Sequence, residues 1–186
     1  MANWNHIDYW TITSDATAVD FGNMTEASRY CGATDNGTNG RGVCFGGGNN
    51  GRAAIDYITI TSAGNAQDFG DLINSYTAMM PGACSNSTND RGISGGGAGD
   101  VNHIQYITIT STGNGTDFGD LTVGRNVVAA VSNGTRERAV FCASNPAGVA
   151  RKTMDYITIN SPGNATDFGD MNEDTHAAAG CSNSGT

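Results

Sequence analysis

Acidic pairs stand three residues apart at Asp68/Asp71, Asp117/Asp120 and Asp167/Asp170, each within the phrase Asp-Phe-Gly-Asp. Carboxylates gathered on one rim could supply part of the roughly six to eight oxygens that calcium takes. These six residues are therefore candidates for weak calcium sites. The first occurrence of the phrase, Asp20-Phe21-Gly22-Asn23, has a carboxamide in the second place, and the spacing matches no calcium loop. Solvated turn acids are the simpler reading. Asp-Phe-Gly itself holds magnesium in protein kinases, but only beside a glycine-rich loop and a strand lysine. Here the tripeptide occurs four times with neither, as a strand-end turn would. Gly46-Gly-Gly-Asn-Asn-Gly51 lacks the Gly-Lys-Ser/Thr ending of a phosphate cradle.

The other reactive side chains are scattered. His6, His103 and His176 do not cluster in the sequence, and no Ser-His-Asp order or unique carboxylate pair stands out. Only Arg136-Glu137-Arg138 breaks the internal symmetry, so no catalytic residue and no cofactor is expected. The five cysteines, Cys31, Cys44, Cys84, Cys142 and Cys181, are odd in number and contain no CxxC pair. They read as small buried thiols, with a Cys31–Cys44 bridge across a hairpin as the alternative. The net charge is −9 and Lys152 is the only lysine, which leaves no basic stripe for nucleic acid or an anionic membrane. No apolar run approaches the ~20 residues of a membrane span, and the first residues carry no secretory pattern. The six Asn-x-Ser/Thr sequons, at Asn23, Asn36, Asn86, Asn114, Asn133 and Asn164, are read as turn chemistry.

The acids recur because the whole sequence recurs. Tyr57–Leu72, Tyr106–Leu121 and Tyr156–Met171 are nearly the same sixteen-residue phrase, and a worn copy covers Tyr9–Met24. Successive tyrosines stand 48, 49 and 50 residues apart, as do Phe21, Phe69, Phe118 and Phe168. A period near fifty denotes an array of one supersecondary unit. Charged residues make up only 15% of the chain and glycines number 27, a composition suited to short strands and tight turns.

Each unit reads as four strands, A to D. Asn36, Asn86, Asn133 and Asn183 mark the A–B turn, and Arg41, Arg91 and Arg138 follow five residues after the first three. Asn36-Gly37, Asn133-Gly134 and the Gly-Asn steps at 64–65, 113–114 and 163–164 are expected to turn through positive φ. Strand C carries large apolar groups on both faces, Ile55 and Tyr57 against Ile58 and Ile60, so both faces should be covered. Strand A is built of small residues, as in Gly82-Ala-Cys-Ser85 and Ala129-Ala-Val-Ser132, whereas strand D carries phenylalanine. That taper is the one expected of wedges crowded round an axis.

The chain is a single repeat domain, 1–186, out of phase with its units. Strands C and D come first, at about 6–24. Full units follow at about 30–72, 78–121 and 128–171, then a lone strand A at about 177–183. The fold class expected is all-β, a small propeller of about four blades whose closing blade is shared by the two chain ends and lacks strand B. Unpaired backbone in that gap would accept a partner strand.

Glycine runs in strand B (Gly46 to Gly48, Gly95 to Gly97), a tyrosine nine residues on and an outer-strand aromatic resemble the kelch repeat. Phe69, Phe118 and Phe168 stand near the kelch tryptophan. The third unit departs from the pattern at Phe141-Cys142-Ala143-Ser144. The wording Asp-Tyr-Ile-Thr-Ile followed by Asp-Phe-Gly-Asp is similar to kelch-like repeats in virion proteins of tailed phages, notably cyanophages. The resemblance implies a non-enzymatic tail appendage, fibre or capsid decoration, with other virion proteins and copies of itself as partners and the virion as its location. The alternative is a receptor- or glycan-binding module for host attachment, in which Trp4 and Trp10 of the first copy would form a single site.

Overall fold

The computed structural model describes residues 4–47, 52–73, 80–126, 128–143, 152–175 and 178–182. They form an all-β array of four sheets. Sheet I pairs β1 (Trp4–Tyr9) with β2 (Val19–Ser28). Sheet II holds β3 (Gly32–Asp35), β4 (Arg41–Phe45), β5 (Ala54–Thr59) and β6 (Gln67–Asp71). Sheet III holds β7 (Gly82–Ser85), β8 (Arg91–Gly95), β9 (His103–Thr108) and β10 (Thr116–Asp120). Sheet IV holds β11 (Ala129–Ser132), β12 (Arg138–Cys142), β13 (Thr153–Thr158) and β14 (Thr166–Asp170). Every pairing is antiparallel and sequential, so the four full-unit strands A to D lie in chain order.

Two turn expectations need correcting. The A–B connection is not a two-residue turn through Asn-Gly. Gly37 and Gly134 do take positive φ (62° and 60°), but Asn36, Asn86 and Asn133 keep negative φ (−109°, −94° and −94°), and a short 3-10 turn follows each one. That turn ends on a left-handed residue, Gly40, Asp90 or Glu137. The asparagine carboxamide closes the loop instead, because its Oδ1 accepts the backbone N–H of Arg41, Arg91 or Arg138. Asn36 and Asn86 are buried while doing so, and an amide that bonds its own loop satisfies the donor that a bend would otherwise orphan. The fourth turn asparagine, Asn183, lies outside the described residues, as do Gly48, Ser144 and His176. The Gly-Asn steps of the C–D turn likewise serve a different purpose, described below.

The C–D ladders slip register at one equivalent place in each unit, beside Gly22, Gly70, Gly119 and Gly169. These glycines have φ between +118° and +149°, a region open to a residue without Cβ. At the bulge Gly22, Gly70 and Gly119 lie directly against the C–D turn of the following unit, at Gly64, Gly113 and Gly163.

The sheets stack in sequence. β3 lies beside β7, and β7 beside β11. The contact is close because the residues are small. A Cβ on Gly32 would come within 3.0 Å of Ala83 Cβ, and one on Gly82 within 3.1 Å of Ala130 Cβ. Residues 178–182 continue this row without a ladder, Ser182 Oγ donating to Ser132 O and Gly180 lying against Val131. One cavity is lined by Thr34, Cys84, Val131 and Cys181, drawn from all four strand-A segments.

The core lies between sheets, not within them. Val43, Phe45, Ile55, Phe69 and Leu72 of sheet II pack with Ile107 and Ile109 of sheet III. Ile93, Ile104, Phe118 and Leu121 of sheet III pack with Phe141, Ile157 and Ile159 of sheet IV. Each sheet therefore has a forward face, toward the next unit, and a rear face toward the previous one. Bulk is matched across the joint: a Cβ on Gly95 would come within 2.8 Å of the Phe141 ring.

Candidate interaction site: the inter-repeat joint and its open ends

The joint between units is a repeated set of polar contacts around the apolar core. The C–D turn of each unit donates backward, from Gly64 N to Phe21 O (2.7 Å), Gly113 N to Phe69 O (2.8 Å) and Gly163 N to Phe118 O (2.7 Å). A second donation runs from Ala66 N to Asn23 O, Gly115 N to Asp71 O and Ala165 N to Asp120 O, each 2.8 Å. The turn asparagine completes the clamp. Oδ1 of Asn65, Asn114 and Asn164 accepts N–H of Asn23, Asp71 and Asp120 at 3.0, 3.0 and 3.1 Å. The asparagine is thus a cross-sheet acceptor, and Gly64 and Gly113 do not adopt positive φ. Of the six calcium candidates, Asp71 and Asp120 serve the joint through their backbone. Asp167 caps its own bulge, accepting Gly169 N at 3.0 Å. No group of three or more metal-ligating side chains gathers among the described residues.

Strand B contributes the second contact. Arg41, Arg91 and Arg138 stack on Tyr57, Tyr106 and Tyr156 of their own sheets at 4.2, 4.3 and 4.4 Å, a cation–π arrangement. Arg41 Nη1 then donates to Ile109 O (2.8 Å) and Arg91 Nη1 to Ile159 O (2.9 Å) in the next sheet. The same tyrosines meet Phe69, Phe118 and Phe168 edge-on at 6.0 to 6.1 Å.

The third contact is a buried acceptor on strand C. Asp56 accepts from Thr25 Oγ1 (2.7 Å), Gln105 from Ile73 N (2.9 Å) and Asp155 from Thr122. Arg52 pairs with Asp56, and Arg125 pairs with Asp155. Arg125 and Asp155 are both fully buried. Burial pulls the Arg125 guanidinium below its ordinary pKa and the Asp155 charge opposes that shift. Arg125 also donates to Thr153 O (2.7 Å), so the pair is hydrogen-bonded as a buried ion pair must be.

Both ends of the array expose halves of this joint. On sheet IV the forward face is uncovered. Phe168 is 47% exposed where Phe69 and Phe118 are 3%, and a Cβ on Gly169 would meet nothing within 4 Å, whereas one on Gly119 would lie 2.5 Å from the Gly163 backbone. Arg138 reaches no following carbonyl among the described residues. On sheet I the rear face is uncovered. Trp10 and Ile12 are 64% and 91% exposed, although their counterparts Ile107, Ile109, Ile157 and Ile159 are buried. Asp8, the counterpart of Asp56 and Asp155, is exposed. The turn that would clamp onto β14 reads Ala16-Thr17 in place of Gly-Asn. That substitution, with Trp10 in the place of Ile58, Ile107 and Ile157, is a sequence signal that the fourth joint differs from the other three.

The expectation of five buried thiols holds for Cys84 alone: Cys44 and Cys142 are half-buried, and Cys31 and Cys181, at the ends of the strand-A row, are exposed. No disulfide joins the described cysteines. Cys31 and Cys44 hydrogen-bond to one another, which lowers the Cys31 thiol to about 7 and raises Cys44. Burial pushes Cys84 up to about 12. His103 Nδ1 lies 3.6 Å from Asp120 and 3.8 Å from Asp117, with no nucleophile in the arrangement. Among the described residues no helix is long and apolar enough to cross a membrane. Neither the models of known protein families nor the curated proteins contain a match to this chain.

Proposed function

We propose that the chain is a kelch-like β-propeller of about four blades, its fourth blade half-built, acting as a non-enzymatic structural subunit of a tailed-phage particle. The carrying observation is that the two ends of the array present complementary halves of one joint. Sheet IV offers Phe168, Arg138 and the Phe168 and Asp170 carbonyls, which accept no cross-sheet N–H among the described residues. Sheet I offers Trp10, Ile12, Asp8 and the Ala16 and Ala18 amides. Exposed apolar surfaces of this kind mark protein contacts, and a head-to-tail contact is heterologous, extending into rings or filaments. The ring arrangement draws support from the cavity shared by all four strand-A segments, and the virion setting from the repeat wording alone.

Sedimentation of the purified chain from low to high micromolar concentration tests the reading. Reversible association that Phe168→Asp and Ile12→Asp each weaken is expected. A monomer at every concentration, with Phe168 protected from solvent, would mean that the ring closes on itself and overturn the subunit reading. A second reading, a receptor- or glycan-binding module, is favoured by the exposure of Trp4 and Trp10 on the same unit. Binding on a glycan array that Trp4→Ala removes would select it.

A further inference from the structure

Among the described residues sheet I has two strands where the others have four; residues 178–182 extend the strand-A row without a ladder, and the surroundings of the missing strand B specify what it must be. In sheets II, III and IV the third strand in sequence, strand C, has neighbours on both edges. β4 covers one edge of β5, β8 one edge of β9, and β12 one edge of β13. In sheet I the equivalent strand is β1, and it pairs with β2 alone. In the full units strand C turns alternate residues toward strand B, as Ile60 N to Gly40 O and Gly46 N to Ala54 O show, so among the described residues the matching backbone groups of His6, Asp8 and Trp10 are left unpaired on β1.

Three further features sit beside that edge. The first is an apolar cavity between the sheets, lined by Ile7 and Met24 of sheet I and by Gly42, Cys44 and Ile58 of sheet II. At the next joint the corresponding space is filled by Val43 and Phe45, both buried. The second is Ile60, 45% exposed, whose counterparts Ile109 and Ile159 are fully covered. The third is a cation site without its cation. Tyr9 meets Phe21 edge-on at 6.0 Å, as the other tyrosines meet their phenylalanines, yet no arginine stacks on it among the described residues. Nor does any side chain there reach Ile60 O, the place that Arg41 Nη1 takes on Ile109 O and Arg91 Nη1 on Ile159 O.

We propose that the free edge of β1 accepts one extended strand from a second polypeptide, of the pattern arginine, glycine or alanine, apolar, any residue, bulky apolar. The assignment deepens the assembly reading above and rests on it for the partner's being another particle protein. Each position follows from the internal joints. The arginine stacks on Tyr9 and donates to Ile60 O. The second residue is small because the strand-C isoleucines lie over it: a Cβ on Gly42 would already stand 3.2 Å from Ile58, and one on Gly92 3.2 Å from Ile107. The third and fifth side chains point forward into the cavity, and the fifth is bulky because the sheet II residue opposite it is Cys44. Backbone pairing supplies affinity and the alternate side chains supply selectivity, as in strand addition generally. A folded second copy cannot donate this strand, since β4, β8 and β12 are each the second strand of an intact sheet.

The probe is a synthetic peptide with the sequence of residues 36–47, carrying serine in place of Cys44, added to the full chain. Binding is read by calorimetry, and its location by hydrogen exchange of the Asp8 and Trp10 amides. Saturable binding, with slowed exchange at β1, is expected. Replacing the peptide's arginine or its phenylalanine by alanine should each weaken binding by about tenfold or more, since a charge-assisted hydrogen bond with a cation–π contact, or a buried phenylalanine, is worth at least ~1.4 kcal/mol. On the protein side Ile60→Asp, which alters an exposed residue, should abolish binding while leaving the thermal transition near that of the parent chain. Absence of binding at millimolar peptide, binding indifferent to the arginine and phenylalanine, or a dimer whose β1 edges already protect one another would each overturn the proposal. Sedimentation of the same samples separates the two readings: peptide binding by a chain that never self-associates retains the strand site and removes head-to-tail assembly, and the converse result does the opposite.

Discussion

Phe118 and Phe168 form a natural control pair for the open end of the array. Both occupy the same place in strand D, and both meet a tyrosine edge-on, at 6.1 Å from Tyr106 and 6.0 Å from Tyr156. They differ in what lies in front of them. Phe118 is 3% exposed beneath the Gly163–Asn164 turn, whereas Phe168 is 47% exposed. Phe118→Ala removes a buried ring and leaves a hole that rigid neighbours cannot fill, which costs about 3–5 kcal/mol. Phe168→Ala loses only the transfer energy of the covered half of the ring. That is roughly half of the ~1.5–3 kcal/mol for full burial, and water fills the space, so a cost of about 1 kcal/mol follows. The gap between the variants should then be about 3 kcal/mol. For a chain of this length each kcal/mol moves the melting point by about 2–4 °C, so thermal and urea unfolding followed by circular dichroism resolve it readily. Slopes of the urea transitions must match for the comparison to hold, since repeat arrays can lose all-or-none behaviour. Equal costs in dilute solution would refute the reasoning, because they would place a cover over Phe168. A Phe168→Ala cost that grows with protein concentration would identify that cover as another copy.

Other consequences of the joint are equally testable. Gly70→Ala should destabilise by several kcal/mol, since its Cβ would lie 2.5 Å from the Gly113 carbonyl oxygen at φ +144°. Gly113→Ala, on the opposite side of the same contact, meets nothing within 4 Å and should stay within about 1 kcal/mol, as denaturant titration of the two will show. Asp155→Ala should cost about 3–5 kcal/mol by leaving Arg125 buried without its counter-charge, and Asp8→Ala on the exposed end about 0.5 kcal/mol or less, both by urea midpoint. The Cys31 thiol, lowered to about 7, should be alkylated well below the pH at which ordinary cysteines react, its rate rising through pH 7 as the thiolate forms. Mild oxidation should join it to Cys44 with loss of two hydrogen masses, and Cys44→Ser should prevent that loss. Chelation of divalent ions should leave the melting point unchanged; a fall on adding a chelator would revive the calcium role of Asp68, Asp71, Asp117, Asp120, Asp167 and Asp170.

Much of this architecture was legible residue by residue. Strand positions, the order A to D, the small first strand and the apolar double face of strand C could all be read from local pattern. Pleat alternation and turn chemistry depend on near neighbours in the chain, and repetition of the phrase averages out accidents. Where the sequence misled, a residue had two uses. Asn36 suits a positive-φ turn, yet its carboxamide bonds five residues ahead. Asn65 suits a tight turn too, but its acceptor faces another sheet. For Asn65 no local rule separates the choices, because the deciding partner lies 42 residues away in the chain. The Arg125–Asp155 pair was invisible for the same reason: each residue looks like an ordinary surface charge until two sheets close over both.

The ends show the division most clearly. Trp10 and Ile12 stand where Ile107 and Ile109 stand, and Phe168 where Phe118 stands, so the sequence alone assigns them to one kind of joint. Burial belongs to a pair of surfaces, and only the folded arrangement determines whether the second surface arrives. At the two joints between full units it does, and at the joint of sheets I and II it does in part, since Phe21 is buried while Ile60 stays 45% exposed. At the fourth, Phe168 and Ile12 face solvent, since the covering unit is missing from one side of each.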